Sequence, residues 1–279
     1  MSDRVLVTGA TGNTGTHLVR VLAARGDTVL AGSRSGRDVA GAPGVRLDLT
    51  DPGTVRTAFD GIGRLFLVIP AGYLDAIGFL DAIVDLAAER GVKVVFQTAF
   101  GVGDDLTSPY HRAEQRLMRS GAPFVILRPN WFADNFHTFW RAGLRSGVVA
   151  VPAGRGRTSF VDVRDIAESA AAALSGAGFD GRAFELTGPE ALDYAQAAQV
   201  LSTAVGRPVR YRPVTPDEFV GLLTRAGLPD DYARHLADLF APVPGDGTAA
   251  VTDAVRTLTG HPARSLAVYA ADNRAALAG

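Results

Sequence analysis

The run Arg4-Val5-Leu6-Val7-Thr8-Gly9-Ala10-Thr11-Gly12-Asn13-Thr14-Gly15 restricts what this chain can fold into more than any other segment. Its apolar start reads as a buried strand. Three glycines at intervals of three then mark a tight turn, and His17-Leu18-Val19-Arg20-Val21-Leu22, closing on Gly26, has the amphipathic pattern of a helix. In such a strand-turn-helix Gly9 lets the backbone turn, Gly12 leaves room beside it, and Gly15 lets the helix pack closely on the sheet. The helix N-terminus presents unpaired N–H groups and a positive dipole end. A dinucleotide pyrophosphate needs that geometry, and Thr11, Asn13 and Thr14 complete the loop expected to hold it. Glycine alone would carry little weight in a chain with 32 of them. The placement after a strand and before a helix carries the reading.

Composition removes other classes. Charged residues make up 20% of 279, the formal net charge is -1 and the pI is near 6.5, so no strong field draws nucleic acid or anionic membrane. The absence of cysteine excludes disulfides, thiolate metal sites and cysteine nucleophiles. Lys93 is the single lysine among 28 basic residues, and it follows Val92, which excludes a Walker A loop. No Gly-x-Ser-x-Gly elbow, His-Glu-x-x-His motif or spaced metal-ligand cluster is present in the sequence, so no metal site is expected. No apolar run reaches ~18 residues and no signal precedes the first strand. The chain is expected to be soluble and cytoplasmic, a monomer or homodimer.

Short apolar strands alternate with helical patterns through the first half. After the strand that opens in the Arg4-Val5-Leu6-Val7 run, strands are expected at Thr28–Ala31, Val45–Leu47, Leu65–Ile69, Val92–Phe96 and Phe124–Leu127, with helices at Val55–Phe59, Leu74–Arg90 and Tyr110–Arg119. That order predicts an α/β, Rossmann-type doubly wound parallel sheet, with ligands at the carboxyl ends of its strands. Residues 1–130 form the dinucleotide-binding core in this reading, and a strand near 183–187 joins its sheet. Residues 131–279 form a smaller, mostly helical substrate-binding cap. Its expected elements are strands at Val148–Val151, Ala183–Leu186 and Val209–Tyr211, and helices from Thr215-Pro216-Asp217-Glu218 through Leu223, at Asp230–Phe240, at Thr248–Leu258 and at Leu266–Leu277.

The second strand runs out through Ala31-Gly32-Ser33-Arg34, where an acidic residue would serve the ribose 2′-hydroxyl of NAD. An arginine suits a 2′-phosphate instead. Ser33 and Arg34, with Arg37 in reach, therefore predict NADP(H) as cofactor. Asp48 after the third strand is read either as an adenine contact or as a helix-cap carboxylate ahead of Pro52.

The glycine spacing, Arg34, the run Leu127-Arg128-Pro129-Asn130-Trp131-Phe132-Ala133-Asp134-Asn135-Phe136 and the run Phe160-Val161-Asp162-Val163-Arg164-Asp165-Ile166-Ala167 together resemble the NmrA-like branch of the atypical short-chain dehydrogenases/reductases. The likeness covers nearly the whole chain. Pro229-Asp230-Asp231-Tyr232-Ala233 and the terminal helices look more narrowly like the agroclavine and festuclavine dehydrogenase group of ergot alkaloid assembly, without carrying over its named substrate. The resemblance implies an NADPH-linked reductase, with NADP(H)-sensing regulators as the known exception in the branch. It also implies cofactor contacts from Thr98 and Ala99 after the fifth strand, and Pro70 is placed with them after the fourth.

Ordinary short-chain reductases pair Tyr-x-x-x-Lys, the lysine favouring tyrosinate. Ser108 and Pro109 place Tyr110 in the first turn of the corresponding helix, but four residues on stands Glu114, whose carboxylate on the same helical face would disfavour tyrosinate. Lys93, at the start of its strand, is at the wrong end of the sheet. The standard proton relay is absent. Hydride addition to an iminium ion needs no acid, a quinone yields a weakly basic phenolate, and an isolated ketone yields an alkoxide that must be stabilised. The expected substrate is thus an apolar, aromatic imine, iminium or conjugated carbonyl of secondary metabolism, with quinone reduction and NADP(H) sensing as alternatives. Its expected walls are Phe100, Tyr110, Trp131, Phe132, Asn135 and Phe136, which follow strands five and six or open the adjoining helix. Tyr110 is the candidate catalytic residue. His111 is read as a donor or as a solvated surface residue, and Phe139 and Trp140 are assigned to the core of the cap.

Overall fold

The computed structural model describes Arg4–Ile69 and Ile77–Gly279. Along the chain β1 (Val5–Val7), α1 (Asn13–Ala24), β2 (Val29–Ser33), β3 (Gly44–Arg46), α2 (Pro52–Ala58), β4 (Arg64–Val68), α3 (Ile77–Glu89), β5 (Lys93–Gln97), α4 (Pro109–Arg119) and β6 (Phe124–Pro129) alternate. There follow α5 (Arg141–Arg145), β7 (Val148–Val151), β8 (Arg157–Thr158), α6 (Val163–Leu174), β9 (Arg182–Leu186), β10 (Leu192–Asp193), α7 (Tyr194–Val205) and β11 (Arg210–Pro213). Helices α8 (Pro216–Arg225), α9 (Asp230–Asp238), α10 (Ala254–Thr259), α11 (Leu266–Asp272) and α12 (Arg274–Ala278) complete the chain.

Two compact units result. One takes the chain up to Pro129, then Val163–Leu186 and Ala254–His261; the other takes Asn130–Asp162, Thr187–Asp253 and Pro262–Gly279. The chain first crosses from one to the other after Pro129. It then returns twice, so α6, β9 and α10 belong to the first unit rather than to a contiguous second half.

The first unit is a seven-stranded sheet in the order β3-β2-β1-β4-β5-β6-β9, every neighbouring pair parallel. The strands of its centre are apolar on both faces because helices cover both: Val5, Leu6, Val7, Leu65, Phe66 and Leu67 have no exposed surface. On one face Leu6, Leu65, Leu67, Val94 and Phe96 pack with Val55 of α2, Leu80, Ile83 and Val84 of α3 and Leu117 of α4. On the other, α1 and α6 lie against each other. The strand order reverses between β1 and β4, and the carboxyl ends there are where an open α/β sheet receives ligands. Lys93 enters β5 at the opposite end, where its ammonium meets Asp180 and the Gly176 carbonyl.

The second unit holds the parallel pair β7–β11 and the antiparallel pair β8–β10. Its core is an aromatic cluster of Phe136, Trp140, Phe160, Tyr194, Phe219 and Phe240. A capping box at Thr215 and Glu218 starts α8 as the sequence indicates. Two helices differ from expectation. Thr248 stays out of α10 because its hydroxyl bonds the Arg157 carbonyl and its own carbonyl accepts from Asn130 and Ser159. The final helix divides at Asn273, whose side-chain amide takes the Tyr269 carbonyl, a local competitor of the helix ladder. Phe139, assigned to the core from the sequence, is 47% exposed, whereas Trp140 is buried.

Candidate functional site

The glycine turn joins the carboxyl end of β1 to α1. Gly9 has φ +58°, and a methyl group there would lie 2.9 Å from Val68 Cγ1; on Gly15 it would lie 2.2 Å from the Gly9 carbonyl oxygen and 2.7 Å from the Ala10 Cα. Both glycines are demanded by the fold. Gly12 is different: it is exposed, it sits in extended backbone at the N-cap of α1, and its nearest obstacle is the Gly9 oxygen at 3.2 Å. No side chain caps this helix and no acidic residue occupies its first turn. Thr11 and Asn13 are exposed beside Gly12, while Thr14 is buried. An uncapped helix start with open space at one glycine fits a pyrophosphate.

Arg34 and Arg37 follow β2 and Arg46 is the last residue of β3; all three are exposed and, among the described residues, in no ion pair or side-chain hydrogen bond. Ser33 is buried, its hydroxyl 3.2 Å from that of Ser35. Asp48 Oδ1 accepts from the Thr50 hydroxyl at 2.7 Å and the Thr50 N–H at 3.0 Å. Those bonds hold its carboxyl below the ordinary carboxylate range, helped by the charges of Arg34 and Arg46. The helix-cap alternative for Asp48 does not hold, since Asp51 caps α2 by accepting from Gly53. Pro70 lies outside the described residues.

A buried polar network closes the ends of β5, β6 and β9. Ser108 caps α4 by accepting from the Tyr110 N–H, with Pro109 at the first helical position. This sets Tyr110, Ala113, Glu114 and Leu117 on the inward face. Glu114 has no exposed surface; its carboxylate accepts from Thr98 Oγ1 at 2.6 Å, Arg128 Nε at 3.1 Å and Arg128 Nη2 at 2.6 Å. Arg128 also donates to Glu185 at 3.2 Å, and the Gly101 N–H reaches the other Glu185 oxygen. Burial opposes the Arg128 charge, but Glu114 and Glu185 outweigh it and hold its pKa above the ordinary value. Burial also raises the Glu185 carboxyl, with Arg128 working the other way.

This corrects the reading of Glu114, whose charge is committed to Arg128 rather than imposed on Tyr110. The Tyr110 phenol is pushed above 10.0 by burial. His111 is not simply solvated either, since its Nδ1 lies 3.0 Å from the Val102 carbonyl. Thr98 is buried, Ala99 exposed and Phe100 partly exposed. Sequence reasoning missed Arg128 and Glu185 as partners of this network. The signal available was the unusual Glu114 itself, an acid that needs a cation once it faces inward.

In the second unit Trp131 is half-buried against Phe240 and Trp140, with ring centroids 4.4 Å and 5.8 Å apart. Phe132 and Asn135 also keep partial exposure. Phe136 does not: its ring is enclosed by Trp140 and Phe160, so it is a core residue and not a ligand wall. Folding also gathers ligand atoms of Asp165, Glu168 and His261 within 4.8 Å of one another, a grouping the spacing does not show, in which His261 Nε2 lies 2.8 Å from Glu168 Oε2.

The NmrA-like family profile matches residues 1–251. An NAD(P)H azoreductase of Xenophilus azovorans is 34% identical over 285 residues, covering 98% of each chain. The agroclavine dehydrogenase of Claviceps fusiformis is 29% identical over 283 residues, covering 97% of each. The crystal structure of an NADPH-dependent quinone oxidoreductase from Escherichia coli complexed with NADPH superposes with a TM-score of 0.85 at 25% identity, covering 96% of this chain and 99% of that one. No helix among the described residues is long and apolar enough to cross a membrane.

Proposed function

Because the chain belongs to the NmrA-like family, we propose that it is an NADPH-dependent reductase whose acceptor is an apolar, aromatic iminium, quinone or related conjugated group that needs no positioned acid. The observation that carries the reading is the replacement of the expected lysine by Glu114, buried and saturated by Arg128 and Thr98. Azo and quinone substrates in the relatives' names support conjugated acceptors, and the clavine relative supports secondary metabolism.

The glycine turn and α1 hold the pyrophosphate, and Arg34, with Arg37 and Arg46 nearby, pairs with the 2′-phosphate. Asp48 keeps Oδ2 for the adenine amino group. Bound NADPH supplies the hydride. Tyr110, its phenol held neutral by burial, contributes ring surface rather than a proton. Phe100, in the first unit with Tyr110, retains open surface, which a substrate wall requires. Catalysis then consists of alignment and exclusion of water.

Tyr110→Phe tests this assignment. Under single-turnover conditions with the best acceptor, the hydride-transfer rate should fall less than about tenfold, whereas a general acid contributes roughly a hundred- to ten-thousandfold. A loss beyond about a hundredfold with unchanged NADPH affinity would make the tyrosine a proton donor.

A further inference from the structure

Thr98 is the first residue past β5, at the carboxyl end of the sheet and two strands from the one that feeds the glycine turn. Its hydroxyl has one proton. A carboxylate accepts and does not donate, so the 2.6 Å contact with Glu114 takes that proton. Glu114 cannot release it readily to another group, being fully buried and fixed from its other side by both forks of Arg128. Arg128 is held in turn by Glu185 and by the close approach of Gly103, where a methyl group would lie 2.3 Å from Arg128 Nη1. What remains to Thr98 is an oxygen with lone pairs and no proton to give.

We propose that Thr98 is a specificity-determining residue that acts only as an acceptor: it receives an N–H or O–H donor of the bound ligand and gives no stabilisation to a developing oxyanion, with Glu114 and Arg128 as its positioning residues. The inference rests on the reductase reading above and narrows its substrate class. An iminium carrying N–H satisfies the oxygen. A carbonyl about to become an alkoxide meets lone pairs instead. The same donor chemistry exists on the amide and ribose groups of the cofactor, and the experiment separates the two sources.

The test compares Thr98→Val and Thr98→Ser with the unmutated protein, reading NADPH dissociation constants by calorimetry and KM for a cyclic N–H iminium salt and for menadione, which offers no donor. Loss of one hydrogen bond is worth about threefold or more. A donor from the cofactor predicts that Thr98→Val weakens NADPH binding by that factor. A donor from the substrate predicts a higher iminium KM with menadione unmoved. Thr98→Ser should restore either. Thr98→Ala replaces the valine variant if that one loses its thermal transition. If NADPH binds the unmutated protein and neither constant shifts more than about twofold in the folded variant, the acceptor role is overturned. If the unmutated protein binds no NADPH, it is the reductase reading that falls.

Discussion

Gly12→Val is expected to abolish NADPH binding while the protein stays folded. The extended backbone at this N-cap accepts a β-branched residue, and its nearest neighbour, 3.2 Å from the added Cβ, needs only a small adjustment. The side chain then occupies the space in front of the uncapped N–H groups of α1. Loss of two charge-assisted hydrogen bonds corresponds to ~3–6 kcal/mol, roughly a hundred- to ten-thousandfold in affinity. Gly15→Ala should behave in the opposite way, lowering the unfolding temperature sharply because its methyl group meets backbone atoms at 2.2 Å and 2.7 Å. Calorimetric titration alongside thermal unfolding checks both. Retained NADPH binding in Gly12→Val would mean that this glycine serves the fold alone.

Arg34→Ala should remove most of the preference for NADPH over NADH. One charge-assisted contact is worth about 1.5 to 3 kcal/mol, or roughly ten- to a hundredfold in affinity. Arg37 and Arg46 are exposed and, among the described residues, in no ion pair, so a residual preference that weakens with added salt is expected. Equal affinities for the two cofactors in the unmutated protein would remove Arg34 from the 2′-phosphate site.

What could be read in the sequence was local. The turn from Gly9 to Gly15, the cap at Ser108 with Pro109, the capping box at Thr215 and the strand expected at Ala183–Leu186, which the structure extends by one residue to Arg182, each declare themselves within a few residues, because backbone geometry limits which residues fit. The substitution of Glu114 for lysine was equally visible, but not its consequence. Arg128 stands 14 residues from Glu114 and 57 from Glu185, and His261 stands 93 from Glu168. Strand order sets those distances, and periodicity carries no record of it. Phe136 shows the same limit from another direction. Its place after β6 suggested a ligand wall, while its enclosure by Trp140 and Phe160 depends on residues that only the tertiary fold brings together.

Anaerobic single-turnover oxidation of bound NADPH by a cyclic iminium salt, menadione and an isolated aromatic ketone tests the central claim most directly, because the three acceptors differ in their need for an acid. The proposed reading, in which no Tyr-x-x-x-Lys relay operates, predicts that the iminium and the quinone each oxidise NADPH at least about a hundredfold faster than the ketone, the contribution a general acid would otherwise supply. Ketone reduction at a comparable rate, or tight NADPH binding with no oxidation by any of the three, would contradict it.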